Sequence, residues 1–154
     1  MNAMAVTLPT ELRIRRVLLA AGPAAAAEAR GQVRAAIRAW DVPVDPSVAV
    51  LLTSELVTNA IRYEKGETVT LAIDCSQGLL RVDVHDSSGD IPVVLDIPRE
   101  AEAGRGLMLV ATLSDEWGFY RTPAGKAVYF TLTSQPDLRQ GGDPRGSMRG
   151  DGEP

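Results

Sequence analysis

The sequence predicts an α+β, two-layer sandwich: a mixed, mostly antiparallel sheet with helices packed on one face. Three observations carry this. The 154-residue chain is long enough for one sizeable core and too short for two ordinary domains. Its hydrophobic period changes from helical to alternating near residue 68, and the resulting order of strand, helix, helix, strand, strand, loop, helix, strand, strand segregates the two kinds of element rather than alternating them. No internal repeat interrupts that order.

Residues 1–10 read as a flexible leader, 11–133 as the folded domain and 134–154 as a disordered tail, because "SQPDLRQGGDPRGSMRGDGEP" offers almost nothing apolar to bury. "ELRIRRV" alternates well enough for a first strand over about 11–20. Pro23 suits the first position of a helix running to about Trp40, with Val33, Ile37 and Trp40 on its core side and Arg30, Arg34 and Arg38 lining an adjacent face. That arginine stripe reads as a solvated surface, or as a docking face for an acidic partner.

Asp45 and Pro46 supply a cap and a first turn for a second helix over about 46–63. "TVTLAIDC" and "LLRVDVHD" alternate as strands, with "SQG" as the turn between them. From Ser87 to Gly104 periodicity is lost, which predicts a long functional loop. A short helix over about Leu107–Leu113 and strands near 116–121 and 126–133 complete the domain.

The composition narrows the function. The net charge of −4 argues against nucleic acid as the default partner, because phosphate binding normally needs a concentrated basic face. The single cysteine, Cys75, excludes an internal disulfide framework, fits a reducing compartment and reads as a buried structural thiol. Arg13, Arg15 and Arg16 before "VLLAAGPAAAAEA" mimic a signal peptide, but Gly22 and Pro23 stop the apolar run. No stretch approaches the roughly 18 apolar residues of a spanning helix. A cytoplasmic location with no membrane association is expected.

Chemistry enters through polar residues in apolar places. In "LLTSELVTNAIRYE", Val48, Leu51, Leu52, Leu56 and Tyr63 fall on one face at about 100° per residue, and Glu55 and Asn59 land near its centre. A buried, unpaired amide costs roughly 1–3 kcal/mol, so both side chains require partners. Asp86 poses the same demand, ending the apolar row Leu80, Val82, Val84. Gly104 and Gly106 bracket Arg105 directly before a helical run, where free amides and the helix dipole can face an anion. This is not the dinucleotide fingerprint, since its third glycine would fall at Leu109, and no G-x-x-x-x-G-K-[ST] phosphate loop occurs. An acid and an amide on a helix, an acid at a strand end, a loop and G-x-G at a helix start together supply the parts of a nucleotide pocket. The missing partners would be a nucleotide, Mg²⁺ and ordered water.

At this point "SELVTNAIRY", "VDVHDSSGD" and "GRGLMLVATLSDEWG" resemble the Bergerat-fold (GHKL) ATPases, and within them the bacterial anti-sigma factor serine/threonine kinases, over roughly 11–133. The resemblance implies Glu55 as general base or water-orienting acid, Asn59 as Mg²⁺ ligand and Asp86 on the adenine amine. It places Gly89, Gly104, Gly106 and Leu107 around ATP under a lid, with Arg62 and Arg105 as phosphate contacts. It further implies a sigma factor and an anti-sigma factor antagonist as partners, γ-phosphoryl transfer to a Ser or Thr of that antagonist, and a homodimer through the sheet and first helix. The chain departs from the superfamily pattern D-x-G-x-G at Ser88 and Asp90, has Tyr63 where relatives often carry histidine, and has Lys126 where threonine is common. His85, the only histidine, is expected on the outer strand face, at the surface. Two other readings compete: a module that sequesters a partner without phosphotransfer, favoured by the lost glycines, and a detached histidine-kinase catalytic domain, which lacks a preceding phosphoacceptor helix.

Overall fold

A computed structural model describes residues 12–63, 66–87 and 102–134, leaving aside the side chains of Tyr63 and of 102–105. The leader, most of the 87–104 loop with Gly89, the tail and the Arg105 side chain lie outside the described residues. Within them run β1 (Arg13–Ala20), α1 (Ala25–Trp40), α2 (Pro46–Tyr63), β2 (Thr68–Ser76), β3 (Leu79–Asp86), α3 (Glu102–Leu113), β4 (Glu116–Thr122) and β5 (Gly125–Thr133).

The five strands form one sheet in the order β1-β2-β3-β5-β4. All four pairings are antiparallel rather than mixed. Two features bring this about: the two successive helices α1 and α2 return the chain to the end of the sheet it left, so β2 runs against β1, and after the single helix α3 it is β5, not β4, that pairs with β3. The helices pack on one face. The layer between holds Leu19, Leu71, Ile73, Val82, Val84 and Phe130 from the sheet against Val33, Leu52, Leu56, Val57 and Val110 from the helices, all buried.

Local chemistry sets the element ends. Asp45 caps α2, its Oδ1 accepting from the Ser47 amide at 2.9 Å, and Pro46 takes the first helical position as expected. α1 begins at Ala25, with Pro23 in the preceding turn; there the Ala25 amide donates to the Gly22 carbonyl at 3.1 Å. α1 ends with Asp41 in the left-handed region (φ 53°) and the Val42 amide returning to the Ile37 carbonyl at 3.0 Å. The β2–β3 turn places Gln77 (φ 54°) and Gly78 (φ 79°) between paired Ser76 and Leu79, the two positive φ values of a type I′ hairpin.

Two expectations are corrected. α3 begins at Glu102 rather than near Leu107, so Gly104 and Gly106 lie inside its first turns instead of in front of it. Two glycines lower the helical signal of "EAGRGL", but Leu107 and Val110 bury against the core and carry the helix through them. Cys75, expected to be buried, is half-buried on β2, packing against the edge of the core; burial still pushes its thiol up.

Candidate functional site

α2 is the element from which the site is built. Its buried residues are Ala49, Val50, Leu52, Thr53, Leu56, Val57, Asn59 and Ala60. On a helical wheel these centre on Leu56, Ala60 and Thr53, and Leu51 is turned out. Glu55 and Asn59 therefore sit at one margin of the buried face rather than at its centre. The shift has a physical cause: α2 packs against the sheet, α1 and α3 at once. Its small residues Ala49, Thr53 and Ala60 are thereby drawn into the interior, although an apolar stripe defined by large side chains leaves them out. Glu55 is half-buried and Asn59 buried, at 8% exposure.

That margin faces α3. A Cβ placed on Gly106 would stand 2.5 Å from Glu55 Oε1, while Glu55 Cδ and Cβ would be at 3.5 and 3.7 Å. The carboxylate thus occupies the space Gly106 leaves open. Gly106 serves here as clearance for an acid; its amide lies beyond the four free donors of the α3 N-terminus, and Leu107 is a core side chain at 3% exposure. Of the anion cradle expected from G-x-G, the structure leaves only the first-turn amides, including that of Gly104. Arg62 is exposed in the last turn of α2.

Asp86 closes β3 on the helix-covered side, in the same pleat phase as buried Val82 and Val84. It is not alone there. Lys126, opposite it in the β3–β5 register, donates from Nζ to Oδ1 at 3.0 Å and Oδ2 at 2.9 Å. The two side chains are 1% and 3% exposed, which makes this an ion pair fully withdrawn from water. Gly125 makes it possible: a Cβ there would fall 2.1 Å from the Asp86 carbonyl oxygen and 2.6 Å from Ser87 Cα, both backbone atoms. The chain of β5 thus presses directly on the end of β3.

Sequence reasoning missed this pair, although its signal was present. Asp86 and Lys126 are charges of opposite sign, each on the core phase of adjacent strands and each at the same end of the sheet. It also missed a cluster on the opposite sheet face. Asp83, buried at 5% exposure, accepts two bonds from Arg81 (2.8 and 3.0 Å) and one from Tyr120 Oη (2.8 Å), while the Arg81 guanidinium lies 4.0 Å from the Tyr129 ring centre. Burial first, and then the Asp83 bond, push the Tyr120 phenol up. His85, expected at the surface, is half-covered by this group, edge-on to Tyr120 at 6.1 Å, and burial lowers its pKa.

Two cavities lie elsewhere. One of about 290 Å³ lies between Val44, Val48 and Leu132, and another of about 410 Å³ runs along α1 and α2 beside Arg30, where Arg30 Nη1 donates to Ser54 Oγ at 3.0 Å. No helix among the described residues is long and apolar enough to cross a membrane.

The frame of the site is thus an antiparallel sheet whose β3 ends in Asp86 on the helix-covered side, with α2 carrying Glu55 and Asn59 on its margin toward α3. Residues 19–132 match the model of the histidine kinase-like ATPase domain, and the chain belongs to that family. Among solved structures it is similar to the RsbU and RsbW domains of Rv1364c from Mycobacterium tuberculosis, with a TM-score of 0.60 and 20% identity over 80% of this chain; it spans 33% of the length of that one. No protein of curated function matches it.

Proposed function

We propose that the domain binds ATP with Mg²⁺ and transfers the γ-phosphoryl group to a serine or threonine of an anti-sigma factor antagonist, and that it controls a sigma factor by binding it. The family supports the nucleotide, and the sequence motifs and the RsbW-containing fold neighbour support the regulatory setting. The observation that carries the reading is the Glu55 carboxylate seated against Gly106, one helical turn from buried Asn59. Neither side chain has a hydrogen-bond partner among the described residues, which suits groups whose partners arrive with a ligand.

Each residue then has one task. Asp86 borders the base, and Asn59 offers an amide oxygen, a hard donor for Mg²⁺. No group of three His, Cys, Asp or Glu gathers among the described residues, so such a cation would be held by that amide, the phosphates and water. Bound there, Mg²⁺ would neutralise phosphate charge. Glu55 accepts the proton of the attacking hydroxyl while the new O–P bond forms and the bond to ADP breaks. Positioning supplies most of the acceleration, so a half-buried carboxylate held between two helices is well suited to the role.

The deciding experiment incubates the protein with labelled ATP, Mg²⁺ and antagonist proteins encoded with it. Label on the partner that is lost with Glu55→Ala supports the kinase. Nucleotide binding with no transfer to any of them would refute phosphotransfer and leave the sequestering module, the reading favoured by Ser88 and Asp90 in place of glycines.

A further inference from the structure

The Asp86–Lys126 pair has a consequence for which base the pocket takes, resting on the reading of Asp86 as the residue that borders the base. A lone carboxylate at that end accepts and never donates. It selects a 6-aminopurine, whose edge offers an exocyclic N–H, and repels a 6-oxopurine, whose edge places an oxygen there. Here the carboxylate is not lone. Both its oxygens lie within 3.0 Å of one ammonium, and the pair is almost wholly enclosed. An exocyclic amine must share those oxygens with a stronger, charged donor, and the local charge that favours the amine is cancelled.

Lys126 cannot easily withdraw. Its backbone is fixed by the register with Asp86 and by the contact of Gly125 with the β3 backbone. Leaving would also strand a buried carboxylate.

We propose that Lys126 is a specificity-determining residue of the nucleotide pocket: by neutralising Asp86 it presents the base with a cation and an anion side by side, so that 6-amino- and 6-oxopurine nucleotides bind with similar affinity. A donor beside an acceptor complements the N–H and ring nitrogen of adenine in one order and the O6 and N1–H of hypoxanthine in the other. Discrimination is a difference of two affinities, and the pair removes the repulsive half of it.

The test titrates the full chain, with Mg²⁺, separately with ATP and ITP by calorimetry. The wild type is expected to bind the two within about 3-fold. Lys126→Thr and Lys126→Met, the second keeping most of the aliphatic stem, should shift the ratio to about 10-fold or more in favour of ATP, and Lys126→Arg should keep the wild-type ratio. A structural role alone would weaken both nucleotides together and leave their ratio unchanged. A wild-type preference for ATP of tenfold or more overturns the proposal without any variant, as does a ratio unmoved in a folded Lys126→Thr or Lys126→Met protein. If neither nucleotide binds the folded wild type, the nucleotide reading itself fails and this inference with it; binding with an unchanged ratio refutes only the role of Lys126.

Discussion

Replacing Gly106 with alanine separates stability from function more cleanly than removing Glu55 itself. Gly106 lies within α3, where Gly→Ala ordinarily gains about 0.8–1.0 kcal/mol of helix propensity. Against this stands the approach of the new Cβ to Glu55 Oε1 at 2.5 Å, when Cδ at 3.5 Å and Cβ at 3.7 Å are already in ordinary contact. Only the carboxylate tip must move, by about 1 Å, through a side-chain rotation costing about 0.5–1.5 kcal/mol. The two terms nearly cancel, so the melting temperature should stay within about 4 °C of the wild type. The rate should not survive so well if Glu55 is the proton acceptor proposed above, because a misplacement of about 1 Å at a reacting centre costs up to about 10²-fold. Circular dichroism melts and initial rates of transfer to the antagonist at saturating ATP read the two quantities on the same sample. An unchanged rate would show that the position of the Glu55 carboxylate does not matter to the reaction; a protein that fails to fold would show that the clash falls on backbone and not on a mobile tip.

Gly125→Ala should behave in the opposite way, because its Cβ meets the backbone of Asp86 and Ser87 at 2.1–2.7 Å and neither strand can yield; a loss of about 3 kcal/mol or more is expected in urea unfolding, at the upper end of overpacking costs. Gln77→Asn should stabilise the domain by up to about 1 kcal/mol, since Asn tolerates the positive φ of the I′ turn and Asn-Gly is its preferred pair; denaturant midpoints check this. His85 has its pKa lowered in the fold, chiefly by burial, so between that value and the ordinary 6.5 the unfolded chain binds more protons. Its contribution is therefore complete above pH 6.5 and is lost as pH falls through 6.5 toward the lowered value. Asp74, raised chiefly by burial and next by Asp83, works with the opposite sign: it gains stability as pH falls through its raised pKa. Unfolding free energies of wild type and His85→Gln between pH 5 and 7.5 should differ in slope, the variant being flatter near pH 6.

The elements were legible wherever a local rule acted alone. Asp45 and Pro46 fixed the start of α2, Gln77 and Gly78 the hairpin, and strict alternation the interior phases of β2 and β3. The sequence misled where packing on several sides overrode a single-face pattern. α2, covered by the sheet and two helices, buries Ala49, Thr53 and Ala60, and this rotation moves Glu55 and Asn59 from the centre of the buried face to its margin. α3 extends through two glycines because its apolar side is anchored by the core, a tertiary effect that propensity cannot carry. The partner of Asp86 was half-legible: a charge of opposite sign on the core phase of another strand was visible, but Lys126 is 40 residues away, and only the strand order β3-β5-β4 makes the two neighbours.

The correction to α2 also changes the energetics of the site. A carboxylate at the centre of a dry face would be driven toward its neutral form, useless for accepting a proton at neutral pH. At the margin, half-exposed and beside a glycine, Glu55 keeps contact with water while its position is held by the helix beneath it. Asp86, by contrast, is enclosed with its side chain 1% exposed, and both its oxygens accept from the ammonium of Lys126. Replacing such a pair by apolar side chains of similar volume is often neutral or stabilising, so stability alone gives no reason for two charges at this end of the sheet. The layer therefore holds its two acids differently, one half-exposed at a helix margin and one enclosed against a lysine. Of the two acids only Glu55 is half-exposed, and this accessibility is what fits it to the proton-accepting role proposed for it.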